Sequence, residues 1–169
     1  VQANALELPF KSHIFNSCYS IGVLHHTPQP LVGVKEAHRV LKKDSQFSLC
    51  VYSRGSYYDT KILKLYRKFF RFIRPFLSFL PAILYSHIVI RFLAPLLKKF
   101  KVLKSLIIKI FPYTDLPDKN WAILDTFDSI TPTHASVHTA KEVITWLKKV
   151  GFKNIDPTDW GSTSFIAKK

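Results

Sequence analysis

Apolar residues recur along the chain in several rhythms, and each rhythm predicts an element. Phe15 to Val23 is a short, mostly apolar run with Cys18, Tyr19 and Ile21 inside it, which predicts a strand covered on both faces. Gly22 and the Pro28/Pro30 pair break that run. From Leu31 the spacing turns helical: Leu31, Val34, Ala37, Val40 and Leu41 fall on one face, with Lys35, Glu36, His38 and Arg39 facing away. After a Lys43-Asp44-Ser45 turn, Phe47 to Tyr52 forms a second β-rich run. Strand, helix and strand predict a βαβ unit with parallel strands and a right-handed crossover.

The middle of the chain follows another pattern. From Tyr57 to Pro112, aromatic and aliphatic residues alternate with Lys61, Lys64, Arg67, Lys68, Arg71 and Arg74, then with Lys98, Lys99, Lys101, Lys104 and Lys109. No acidic residue occurs between Asp59 and Asp115, and Pro75, Pro81, Pro95 and Pro112 are expected to divide the stretch into short helices. Pro81 to Leu97 is the most apolar part, but His87, Arg91 and Pro95 interrupt it, and a membrane span wants about twenty apolar residues. Basic amphipathic helices on an anionic membrane surface fit this pattern, as does a lid over a hydrophobic acceptor or a solvated helical cap. Nucleic acid ranks last, because the aromatics sit among Leu and Ile and form no stacking platform.

Thr114 to His138 reads as polar and turn-rich. Thr139 then opens a helix, with Glu142 completing a T-x-x-E capping box. Val143, Trp146, Leu147 and Val150 form its buried stripe, and Gly151 ends it. Asn154 to Trp160 and Thr163 to Ala167 predict an antiparallel hairpin at a sheet edge, turning at Gly161.

Composition adds limits. The 169 residues suit one domain, and a hydrophobic fraction of 47% is ample for a core. A formal charge of +14 favours an anionic partner. Cys18 and Cys50 both fall in predicted strands and read as reduced core residues, no zinc-ligand spacing occurs, and no signal peptide opens the chain. A cytoplasmic location, peripheral to the membrane if the basic helices touch it, is the expectation.

The motifs LPF, FN, YSIGVLHHTPQP and EAHRVLKKDSQFSLCVYS, in that order, resemble the second half of class I S-adenosylmethionine-dependent methyltransferases of the type 11 group. Their pattern runs D-A-x-x-LPF, FD-x-V-x-S, VLHH and RVLKPGG. DTFDSITPTHASVHTAKEVITWLKKVGF resembles the region leading into the family's last helix. The resemblance implies an α/β fold, a Rossmann-like class I methyltransferase sheet comprising its second half, strands 4 to 7, with an inserted α-helical cap. It divides the chain into residues 1–56 and 113–169 as methyltransferase core, with 57–112 as the insertion. It also implies that the glycine-rich cofactor loop and the ribose-binding acid lie upstream of Val1. With Met absent, the chain is therefore expected to be an N-terminally incomplete methyltransferase, inactive alone and prone to associate through an exposed sheet edge.

The implied reaction is methyl transfer from S-adenosyl-L-methionine to a small, amphiphilic or lipid-like acceptor. Asn4, where the family carries Asp, would accept from the adenine amino group, beside Ala5. Ser20, Ile21 and Gly22 would line the cofactor at the carboxyl edge of the strand, where open α/β sheets bind ligands. His25 and His26, in what reads as an exposed turn, are candidates for general base or acceptor orientation; one packing while the other is solvated is the plainer reading. Tyr52, Asp125, Asp128 and His138 are candidate acceptor contacts, with helix capping and loop hydrogen bonding as the competing explanation for the acids. The rival to an enzyme is a methyltransferase-derived membrane-surface or partner-binding protein. Asn4, Asn16 and the missing turn glycines at Lys42 to Ser45 support that rival.

Overall fold

The computed structural model describes residues 1–98 and 107–169; Lys99, Lys101 and Lys104, and the side chain of Lys98, lie outside the described residues. The chain forms two compact units, one of residues 1–59 with 134–169 and one of residues 60–133.

The first unit is built on a sheet. β1 (Phe15–Ile21), α1 (Pro30–Val40) and β2 (Leu41–Cys50) make the predicted βαβ unit, with β1 and β2 parallel. β4 (Ser164–Lys168) pairs antiparallel with β2, and β3 (Lys153–Pro157) antiparallel with β4, giving the order β1-β2-β4-β3. This is the expected α/β arrangement. α1 and α6 (Ala140–Val150) supply Val34, Ala37, Val143 and Leu147 to a core against Phe47, Leu49, Phe165 and Ala167. Phe152 closes it, stacked on Phe47 at 5.3 Å and meeting the His38 ring edge-on at 4.9 Å.

α6 begins as its sequence dictates. The Thr139 hydroxyl accepts from the Glu142 N–H at 3.2 Å, and the Glu142 carboxylate accepts from the Thr139 N–H at 2.7 Å. It ends where the Gly151 N–H donates to the Leu147 and Lys148 carbonyls. Gly33 has a packing role instead: a Cβ there would stand 2.4 Å from Leu24 Cδ2, so the missing side chain is what admits Leu24 to the core.

Three expectations for this unit are corrected. β1 is an edge strand and mostly exposed, with Tyr19 at 78%, since α1 and α6 pack on the face of the sheet that carries Phe47 and Leu49 and Tyr19 points to the other one. Cys18 and Cys50 are free thiols, each half-buried and not in the sealed core. The Lys43-Asp44-Ser45 turn does not precede β2 but interrupts it. Between the pairs Phe15–Leu41 and Ser17–Gln46, β1 advances two residues and β2 five. Asp44 takes a left-handed conformation at φ 61°, and the excursion is pinned by Asp44 N–H to Lys169 O and Lys169 N–H to Ser45 O.

The second unit is helical: α2 (Lys61–Leu77), α3 (Leu80–Ile88), a π-helical turn (Val89–Leu93), α4 (Ala94–Lys98) and α5 (Lys119–Ile130). The prolines divide it less than expected. Pro75 lies in the last turn of α2, and Pro81 opens α3 in the position that tolerates it. Pro95 follows the π-helical turn, whose wider winding shifts the carbonyl the ring would otherwise strike. The helical path from Leu80 to Leu97 is long and apolar enough to cross a membrane by length and composition, with a third of it buried inside the structure.

Two further corrections belong here. Residues 119–130, expected as turns, are helix α5. Asp118 caps it, accepting from the Trp121 N–H at 2.9 Å, and its buried face is Ala122, Thr126, Ser129 and Ile130. That face is too polar for a hydrophobic stripe to reveal it. Arg67, counted among the solvated cations, is buried and donates from Nε to the Ser129 carbonyl at 2.8 Å. α5 packs on α2 and α3 within the helical unit.

Candidate functional site

The sheet unit gathers its polar chemistry at the carboxyl ends of β1 and β2. β1 stops at Ile21, and Gly22, at φ 71°, turns the chain while its N–H donates to the Cys50 carbonyl at 3.1 Å. A single 3-10 turn, Leu24–His26, follows. β2 stops at Cys50, and the chain continues through Tyr52 to Tyr58. Residues 134–139 return against these ends: the His138 N–H donates to Tyr52 O at 2.9 Å, the Arg54 N–H to His138 O at 2.8 Å, and the Ser136 N–H to His25 O at 3.0 Å.

His25 is buried at 1% exposure, which corrects its placement in an exposed turn. Its ring stacks on Tyr52 at 3.6 Å, and Tyr52 stacks on Tyr58 at 3.9 Å, so both faces of the Tyr52 ring are covered. Hydrogen bonds then fix both imidazoles. The Tyr52 N–H donates to His25 Nδ1 at 3.2 Å, so the His25 proton sits on Nε2. His25 Nε2–H donates to His26 Nε2 at 3.0 Å, and His26 Nδ1–H donates to the His134 carbonyl at 3.0 Å. All four ring nitrogens are engaged.

His138 forms a second branch. Its Nε2 lies 2.8 Å from Ser136 Oγ, its Nδ1 3.9 Å from Glu142, and its ring meets Trp146 at 4.5 Å. Burial, above all, lowers its pKa; Glu142 opposes that shift and Arg54 adds to it. The Thr139 backbone N–H, first, holds the Glu142 carboxyl below its ordinary range, and Arg54 at 3.3 Å acts in the same direction.

The residues expected to hold the cofactor divide between locations. Ala5 and Ser20 line a cavity of about 150 Å³ on the α1 side of the sheet, with Leu8, Cys18, Leu24 and Phe47. Ser20 Oγ is buried there with no hydrogen-bond partner. Ile21 lines a different hollow of about 350 Å³ on the opposite side, with Ser48, Trp160 and Ile166. Asn4 is exposed, and its Oδ1 accepts from the Leu6 N–H at 3.0 Å, leaving one lone pair for a ligand. Asp125 and Asp128 belong to α5 of the helical unit, His138 to the sheet unit.

One structural contact beside the cavity was missed in the sequence. Glu36 and Arg39, expected to face solvent, clamp the Leu8-Pro9-Phe10 loop to α1. Arg39 grips Glu36 through two bonds of 2.8 Å and donates to Phe10 O at 2.7 Å and Leu8 O at 2.9 Å, while the Leu8 N–H donates to Glu36 at 2.8 Å. Arg39 holds the Glu36 pKa below its usual value. The only signal was an i, i+3 pair of opposite charge, common on any exposed helix.

Residues 1–49 match the family described as a methyltransferase domain. That match covers β1, α1 and nearly all of β2, the stretch whose motifs resemble the methyltransferases. In overall chain path the protein is similar to a Thermotoga maritima protein named as a SAM-dependent methyltransferase and candidate histamine N-methyltransferase. They share 16% identity, with all of this chain and 63% of that one covered, at a TM-score of 0.48. It is also similar to a Bacillus halodurans protein named as a methyltransferase candidate, at 18% identity, 98% and 66% coverage and a TM-score of 0.33. The chain therefore spans just under two-thirds of the length of these two proteins. No curated protein matches it.

Proposed function

We propose that the chain is part of an S-adenosyl-L-methionine-dependent methyltransferase acting on a small, amphiphilic or lipid-like acceptor. The observation that carries the reading is the unpartnered Ser20 hydroxyl in an apolar cavity at the end of β1, within the stretch that matches the methyltransferase domain. A cavity of about 150 Å³ is half the volume of the smallest usual ligand pocket, so these residues suit a ring and not a whole nucleoside with its amino-acid tail. Ser20 and Ala5 would hold the adenine end, with Asn4 accepting from its amino group. When bound, the cofactor supplies a sulfonium-activated methyl group open to in-line attack by an acceptor lone pair. With every ring nitrogen engaged, His25 and His26 act by holding the 22–27 turn and Tyr52 in place, so positioning of the acceptor carries the catalytic burden. Tyr52, its faces covered, offers an acceptor only its hydroxyl and edge. Within the sheet unit, His138 remains the candidate polar contact for the acceptor.

Titration with S-adenosylhomocysteine, followed by amide chemical shifts, tests this. The reading expects shifts at Ala5, Ser20, Ile21 and Gly22 that saturate, and a Ser20→Val variant that weakens them. No saturable shift up to millimolar ligand would favour the second reading, a methyltransferase-derived binding protein, which the small cavity and the fully engaged histidines support.

A further inference from the structure

We propose that the helical unit docks on an anionic lipid bilayer through the exposed side of α2. Winding α2 at about 100° per residue places Leu65, Phe69, Phe72 and Phe76 within roughly 60° of arc. All four are more than half exposed, while Leu63, Arg67 and Phe70 bury the opposite side. Lys61, Lys68 and Arg71, all exposed, form a row alongside the aromatic one. A helix that packs one face into its own domain and carries a second, unburied apolar face edged by cations has the layout of an interfacial helix: rings among the acyl chains, cations among the phosphates.

Charge selects this occupant over others. No carboxylate occurs from residue 60 to 114, so nothing in α2, α3 or α4 repels an anionic surface, and the unit's acids lie at Asp115, Asp118, Asp125 and Asp128. A second copy seated on the same seam would bring two cationic rows together with no acid to pair them. A nucleic acid would satisfy the cations but leave the phenylalanine row in water. The inference does not depend on methyl transfer.

Flotation with phosphatidylcholine vesicles, with and without phosphatidylglycerol, tests it. The protein should float with the anionic vesicles and bind the neutral ones at least about tenfold more weakly. Phe72→Ser with Phe76→Ser should lose binding by about tenfold or more. Lys68→Gln with Arg71→Gln should lose roughly 25-fold, at about fivefold per cation. The cation pair carries the test should the phenylalanine pair fail to melt cooperatively. Equal binding to neutral vesicles, unchanged binding by the cation pair, tighter binding to duplex DNA than to anionic vesicles, or a dimer that the phenylalanine pair dissociates would each overturn the proposal.

Discussion

Phe47 and Phe72 are the same side chain put to opposite uses. Phe47, in β2, is fully buried between α1, α6 and β4; Phe72, in α2, is 74% exposed. The contrast extends to the units around them. In the sheet unit the apolar groups of α1, β2 and α6 form a core, and the carboxylates beside it find partners: Glu36 with Arg39, and Glu142 with Arg54 and its own helix start. In the helical unit a full phenylalanine row points outward beside cations, through a stretch with no acid. Hydrophobicity alone therefore does not say where a core lies.

The sharpest way to break the comparison is to truncate both rings. Phe47→Ala should cost about 3–5 kcal/mol, enough to unfold a marginal domain, while Phe72→Ala should move stability by no more than about 0.5 kcal/mol. Equal losses in chemical denaturation would mean that Phe72 has a packing partner in solution. Next in size is Gly33→Ala, which drives a methyl into Leu24. Its cost should be about 1–3 kcal/mol, and Leu24→Ala in the same background should recover part of it. Thr139→Ala removes one half of a capping box and should lower stability by about 1 kcal/mol, within the usual range for such caps.

Acid should act on the sheet unit in two stages. Burial, first, lowers the pKa of both His38 and His138 in the folded chain. The unfolded chain therefore takes up protons first, and stability falls as pH drops below about 6.5 through the folded values. Glu36 and Glu142 are also lowered, by Arg39 and by the Thr139 N–H respectively, so their contribution is present above about 4.3 and is lost as pH falls further. Melting temperature against pH should show both declines, and His138→Phe should flatten the upper one. An unchanged upper decline in that variant would assign it elsewhere.

Legibility in the sequence followed the locality of the physics. The βαβ unit, the T-x-x-E cap and the closing hairpin are written in spacings of a few residues, and all three are present. What depended on distant partners was not readable. His25 looked exposed because Tyr52, the ring stacked on it, lies more than 25 positions away. α5 was read as loop because its buried face is small and polar, and Trp121 and Leu124 point outward. Of the expected cofactor residues, Ala5 and Ser20 share a cavity, whereas Ile21 faces the other side, as alternation along a strand requires.

Hydrogen exchange with and without anionic vesicles tests the contrast between the two units most directly. The account predicts new protection along residues 61–97 and unchanged exchange in β1, β2 and α6. Protection in the sheet unit, or in neither unit, would contradict it.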